Sequence, residues 1–97
     1  MKRPPDFSRF KTFRELVAKR GIGVQDYTNR IAAIEAVGLL ARICEMGDQV
    51  LALALNRRIS ASQAETLIDD LVNCFADPIH STRRVIETGK QLRGCDL

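Results

Sequence analysis

The spacing of apolar side chains along the chain predicts helices, and no segment has the alternating pattern of a strand. The clearest helical pattern covers residues 62–76, where Ser62 and Glu65 have the spacing of a capping box. Pro78 ends this segment, because proline cannot continue a helix. The apolar positions that recur there at intervals of three and four are Ala64, Leu67, Ile68, Leu71, Val72 and Phe75.

Two weaker patterns predict helices before and after this segment. A first helix is expected over residues 8–20, with Thr12 and Glu15 as an alternative capping box and Gly21 and Gly23 as a stop. A last helix is expected from Ser81 to Arg93. The apolar positions of the first helix are Phe10, Phe13, Leu16 and Val17, and those of the last helix are Val85, Ile86 and Leu92.

A much longer apolar segment, residues 26–57, begins after a cap at Asp26 or Thr28. A helix that is apolar over most of its circumference is usually covered on several sides, so it is either the central element or the contact with a second copy. Gly47 and Asp48 leave open whether the segment forms one helix or two. One face is marked by Ile31, Ile34, Val37, Leu40, Ile43 and Cys44, and Ala33, Ala36, Leu39 and Met46 widen it.

These patterns predict an all-α fold, a small bundle of four or five helices. Residues 1–7 are expected to form a flexible basic leader, since Pro4 and Pro5 oppose regular structure, and residues 8–97 a single domain. Asp77-Pro78 is expected to be a plain helix terminator, with a cis bond as the alternative.

Residues 54–75 have the length of a helix-turn-helix, which raises the question of DNA recognition. The turn position falls on Arg58, and the second helix carries Glu65, Asp69 and Asp70 but no Lys or Arg. Carboxylates oppose entry into a groove lined by phosphates, so the corner of a bundle is the favoured interpretation. A second candidate, residues 17–34, is more basic but fits the pattern poorly.

Charge is distributed unevenly over the 97 residues. Residues 1–24 carry a net charge of +5, residues 25–80 of −4 and residues 81–97 of +2. The basic end is typical of an arm that meets an acidic surface, with Phe7, Phe10 and Phe13 either as anchors or as part of the core. The predicted partner-binding residues are Lys2, Arg3, Phe7, Arg9, Lys11, Arg14, Lys19 and Arg20.

Little in the sequence points to catalysis, a cofactor or a metal. Asp69 and Asp70 are adjacent and would point about 100° apart on a helix, which does not suit a shared acid and base. The three cysteines and the single histidine have no metal-binding spacing. Cys44 and Cys74 are expected to be buried and Cys95 exposed, which fits a reducing, cytoplasmic setting. Neither a secretory signal nor a membrane-spanning segment is recognisable.

The sequence therefore predicts a non-enzymatic protein-binding module that docks on a larger macromolecule, a host protein or its own copy, and modulates it. A phage- or plasmid-type factor that inhibits or redirects a host DNA-processing enzyme would fit this class. The alternatives are a nucleic-acid-binding protein that uses the basic end and a structural homo-oligomer.

Overall fold

The computed structural model describes residues 11–24 and 30–94, and this part of the chain is all-α, as the sequence predicts. It contains four helices and no strand. They are α1 (Phe13–Arg20), α2 (Arg30–Leu55), α3 (Ala61–Ala76) and α4 (Thr82–Gly94). The predicted leader, residues 1–7, the first three residues of the predicted first helix, and the predicted caps Asp26 and Thr28 lie outside the described residues.

Helix α1 is shorter at its start than the sequence suggests, because Lys11 and Thr12 are not helical. Thr12 is the N-cap, and its hydroxyl accepts a hydrogen bond from the Glu15 amide at 3.2 Å. The Glu15 carboxylate accepts a hydrogen bond from the Lys11 amide at 3.0 Å. In a standard capping box it would accept from the amide of the N-cap residue, Thr12. Gly21 ends the helix in the left-handed conformation with φ of 66°.

Helix α2 is a single element of 26 residues, so Gly47 and Asp48 do not interrupt it. It ends in a Schellman arrangement, in which the Arg57 amide donates to the Ala54 carbonyl and the Arg58 amide to the Leu53 carbonyl. The left-handed residue of this turn is Arg57, with φ of 57°, and not Arg58 as the sequence interpretation assumed.

Helix α3 begins with a capping box, but the pair is Ser60 and Gln63. The Ser60 hydroxyl accepts from the Gln63 amide at 3.1 Å, and the Gln63 side chain accepts from the Ser60 amide at 3.0 Å. The predicted pair of Ser62 and Glu65 is therefore wrong by two residues. The apolar face predicted for this helix is correct, since five of its six members are buried and Phe75 is half-buried against the core.

Helix α4 follows a trans Asp77-Pro78 bond, because no described peptide bond is cis. Val85 and Leu92 are buried as predicted. Ile86, which was assigned to the same apolar face, is 44% exposed, and Thr88 is buried instead.

Helix α2 is the central element, since it packs against α1, α3 and α4. Its buried residues come mainly from its second half, between Ile43 and Leu53. Phe13 of α1 is fully buried there and meets Phe75 of α3 edge to face, with ring centroids 6.2 Å apart. The core thus lies at one end of α2, and the other end extends beyond it.

Candidate partner-binding surface

Half of the predicted partner-binding residues fall in the described part of the chain. Lys2, Arg3, Phe7 and Arg9 lie outside it. Lys11, Arg14, Lys19 and Arg20 are all exposed on or beside α1. The local sequence places them there because Phe13, Leu16 and Val17 occupy the buried side of this short helix.

The cations of α1 do not form one compact patch. Arg14 and Lys19 lie about 140° apart around the helix axis, at about 100° per residue. Glu15 lies between them on the same outer surface and is also exposed. An acidic partner would therefore meet these cations as separate contacts and not as a single positive cluster.

Arg20 is already paired with another part of the fold. Its guanidinium lies 3.4 Å from the Asp69 carboxylate of α3. The two side chains are 41% and 57% exposed, so this ion pair contributes little to stability. Arg20 remains accessible, but a partner would have to compete with Asp69 for its charge.

Phe13 is part of the core and is not an exposed anchor. Its side chain has no accessible surface, and its backbone amide donates to the Asp48 carboxylate of α2 at 2.6 Å. This bond satisfies one of the free amides at the start of α1 and fixes the helix on α2. Of the two interpretations of the phenylalanines, the core one is correct for Phe13; Phe7 and Phe10 lie outside the described residues.

The most distinctive surface is the exposed side of the first half of α2, which we call the exposed α2 face. Ile31, Ile34 and Val37 are 67%, 66% and 69% exposed. The sequence grouped them with Ile43 and Cys44, which are buried. The exposed α2 face spans an arc of about 120° and is made of Arg30, Ile31, Ile34, Val37, Gly38, Ala41 and Glu45, all of them exposed, with exposed Glu35 and Arg42 at one edge.

This face is exposed because of its direction and its position. Ile34 and Ile43 are nine residues apart, which places them on opposite sides of the helix. Ile43 points into the core and Ile34 points away from it. Large apolar side chains exposed in a continuous group are typical of a contact surface.

The two described thiols lie in the core and are poor candidates for chemistry. Burial raises the pKa of Cys44, although the charge of Arg14 acts in the opposite direction. Burial also raises the pKa of Cys74, and a hydrogen bond with Ser81 partly offsets the increase. Since the thiolate is the reactive form, both thiols are held in the unreactive state near neutral pH.

Polar groups from α3, from the turn that follows it and from α4 line an open groove: Asn73, His80, Ser81, Arg83, Arg84 and Glu87. Arg84 pairs with Asp70 at 3.0 Å and Arg83 with Glu87 at 3.6 Å. Both ion pairs are largely exposed to solvent, so they offset the charges of the two arginines only in part. In the described ranges no three His, Cys, Asp or Glu side chains come together as a metal-binding group.

Within residues 11–24 and 30–94, every helix is too short or too polar to cross a lipid bilayer. Comparison of the chain with protein-family models, curated proteins and solved structures finds no match. The exposed cations of α1 and the exposed α2 face are the two surfaces best suited to binding.

Proposed function

We propose that this chain is a non-enzymatic protein-binding module that docks on a larger macromolecule and modulates it. The observation that carries the proposal is the exposed α2 face, where three large apolar side chains are each about two-thirds exposed. Exposure of such a surface to water is unfavourable, and its burial against another apolar surface lowers the free energy.

The basic side of the molecule supports a second contact of different chemistry. Lys11, Arg14 and Lys19 are exposed, and we assign them, with Arg20 and the preceding Lys2, Arg3, Phe7 and Arg9, to the contact with an acidic protein surface. Exposed charges of this kind mainly raise the association rate and select the partner. The two surfaces together suit a small protein that joins a larger complex.

The finer part of the proposal concerns the partner. The basic first segment fits a cytoplasmic phage- or plasmid-type factor that inhibits or redirects a host DNA-processing enzyme. Such an enzyme presents acidic surfaces or bound nucleic acid, and a basic docking segment is complementary to either one.

The test is affinity capture from a nuclease-treated bacterial lysate with two charge-reversal variants. The first replaces Lys11, Arg14 and Lys19 with glutamate, and the matched control replaces Arg57, Arg58 and Lys90, which are also exposed, with glutamate. We expect the wild type and the control to retain a stoichiometric protein partner and the first variant to lose it. Capture of no protein would contradict the proposal, and equal capture by all three chains would remove the α1 cations from the contact and leave it to the exposed α2 face.

Nucleic-acid binding is the second candidate, favoured by the same exposed cations of α1. The acidic surface of α3, where Asp69 and Asp70 already pair with Arg20 and Arg84, counts against α3 as the reading helix. Direct binding through α1 predicts an affinity for DNA that falls steeply with salt concentration, because each neutralised phosphate releases counterions. If binding to a DNA duplex is undetectable at low salt, this candidate is wrong.

A further inference from the structure

The exposed α2 face has an order of side chains that is complementary to itself when reversed. Arg30 stands at its first end and Glu45 at its last, and both are exposed. Between them the two bulky residues Ile34 and Val37 come first, and the two small residues Gly38 and Ala41 follow. A second copy of the same face, turned end for end, brings Arg30 to the height of Glu45 and Ile34 to the height of Ala41.

We propose that α2 pairs antiparallel with α2 of a second copy, so that the exposed α2 face is the interface of a homodimer. This inference rests on the proposed protein-binding function and assigns one of the two surfaces to a specific occupant. The cations of α1 remain available for the larger partner, since they are not part of the exposed α2 face.

Shape supports the antiparallel arrangement. Aligning Val37 with Gly38 of the second copy also aligns Ile34 with Ala41 of that copy, because the helices run in opposite directions at the same rise per residue. Ile34 and Ala41 lie about 20° apart near the middle of the exposed α2 face, so a bulky side chain of one copy meets a small one of the other there, as in closely packed helix pairs. Gly38 leaves space for this approach, since nothing lies within 4 Å of the position a Cβ would take there.

Charge supports the same alignment. In this register Arg30 lies opposite Glu45 of the second copy, and Glu35 lies within one helical turn of Arg42 of the second copy. All four side chains are exposed in the single chain, so they can form these contacts without any change in the core. A parallel pair would place each of these charges opposite its own kind, which is unfavourable.

The neighbouring helices leave the face open. Helix α4 borders it through a groove lined by Glu35, Gly38, Leu39, Arg42 and Thr82. This groove lies at the edge of the face that carries Glu35 and Arg42. The same two side chains of the second copy would extend to this edge. The buried side of α2, with Ile43 and Val50, faces the core and takes no part in the contact.

Cysteine cross-linking tests both the contact and its direction. In a chain with Cys95→Ser, Val37→Cys brings the two introduced thiols to about the same height, offset by about 1.5 Å along the helix axis. Ile31→Cys separates them by about 20 Å, which no disulfide can span. We expect oxidation to link the Val37→Cys chain and to leave the Ile31→Cys chain unlinked. Linking of both variants would indicate a parallel pair, and linking of neither would overturn the dimer; both outcomes contradict the proposal.

A charge exchange in the Val37→Cys chain provides the second measurement. Glu35→Arg places like charges together and should lower the yield of cross-linked dimer several-fold, whereas the double change with Arg42→Glu restores opposite charges and the yield. No recovery in the double variant would contradict the alignment. Partner capture that is lost on reversal of the α1 cations, in a chain that does not cross-link, would leave the proposed function standing and remove the dimer alone.

Discussion

The ring of Phe13 lies directly on the backbone of Gly47, where a Cβ would overlap the ring atoms. The two residues join the start of α1 to the middle of α2 across a long separation in sequence. The adjacent Asp48 accepts the Phe13 amide, so one turn of α2 holds both the side chain and the backbone of this residue. Glycine at position 47 permits this close packing.

We predict that Gly47→Ala lowers the free energy of unfolding by about 1–3 kcal/mol, because the added methyl group displaces the Phe13 ring. Urea denaturation measures the change. Gly89→Ala in α4 is the matched control: its Cβ would meet only the Met46 sulfur at 3.5 Å, an ordinary contact. Alanine is the better helix former, so the control should gain up to about 1 kcal/mol. Equal effects at the two positions would disprove the packing role of Gly47.

Arg57 occupies the left-handed position at the end of α2, with φ of 57°. Because a side chain in this conformation costs about 1–2 kcal/mol, Arg57→Gly should raise the free energy of unfolding by about 1 kcal/mol. Arg58→Gly removes the same charge from the next residue, where φ is negative, and should lower stability slightly by making the unfolded chain more flexible. Thermal unfolding of the two variants should shift in opposite directions, and a shared direction would contradict the assignment of the turn.

The capping box of α3 can be tested with two serines that are two residues apart. Ser60→Ala removes the hydroxyl that accepts from the Gln63 amide and should lower the free energy of unfolding by about 1 kcal/mol. Ser62→Ala changes the serine that the sequence favoured, and its effect should stay within about 0.5 kcal/mol. If chemical denaturation shows a larger loss of stability for Ser62→Ala than for Ser60→Ala, Ser60 is not the N-cap of α3.

Burial of Cys44 and Cys74 predicts how the protein responds to thiol reagents and to alkaline pH. In a Cys95→Ser chain, alkylation near neutral pH should require unfolding and be far slower than in denaturant, which mass spectrometry can follow. Burial raises both pKa values, so the folded state keeps protons that the unfolded state loses. Stability should therefore fall as pH rises past the ordinary thiol pKa of about 8.5, and be unaffected by these groups below it. Rapid alkylation of the native chain would contradict this prediction.

Helical periodicity predicted four or five helices, and the four described ones lie at about the predicted places, because most of each pattern reflects burial against neighbours. It failed where two local signals compete. Ser60 with Gln63 and Ser62 with Glu65 have the same capping spacing, and only the backbone of the turn selects the first pair. Gly47 suggests a possible break in the helix when only the sequence is considered. The ring of Phe13, which leaves no space for a side chain at this position, is distant in sequence.

The exposed α2 face could not be predicted from the sequence alone. Ile34 and Ile43 are the same residue type in one helical pattern, yet they are 66% and 0% exposed. Which of them is buried depends on where the other helices end, and this is a property of the whole fold. The position of Glu15 between Arg14 and Lys19, in contrast, follows from helical spacing alone, so the sequence was sufficient to predict it.

Sedimentation equilibrium of the full chain over a range of micromolar concentrations tests the role of the exposed α2 face most directly. The 97-residue wild type should approach twice the mass of one chain as concentration rises. Ile34→Glu, which places two uncompensated charges in the interface, should remain a monomer with unchanged helicity, because Ile34 makes no part of the core. A wild type that stays monomeric over the whole range, or an Ile34→Glu chain that dimerises equally well, would contradict the account.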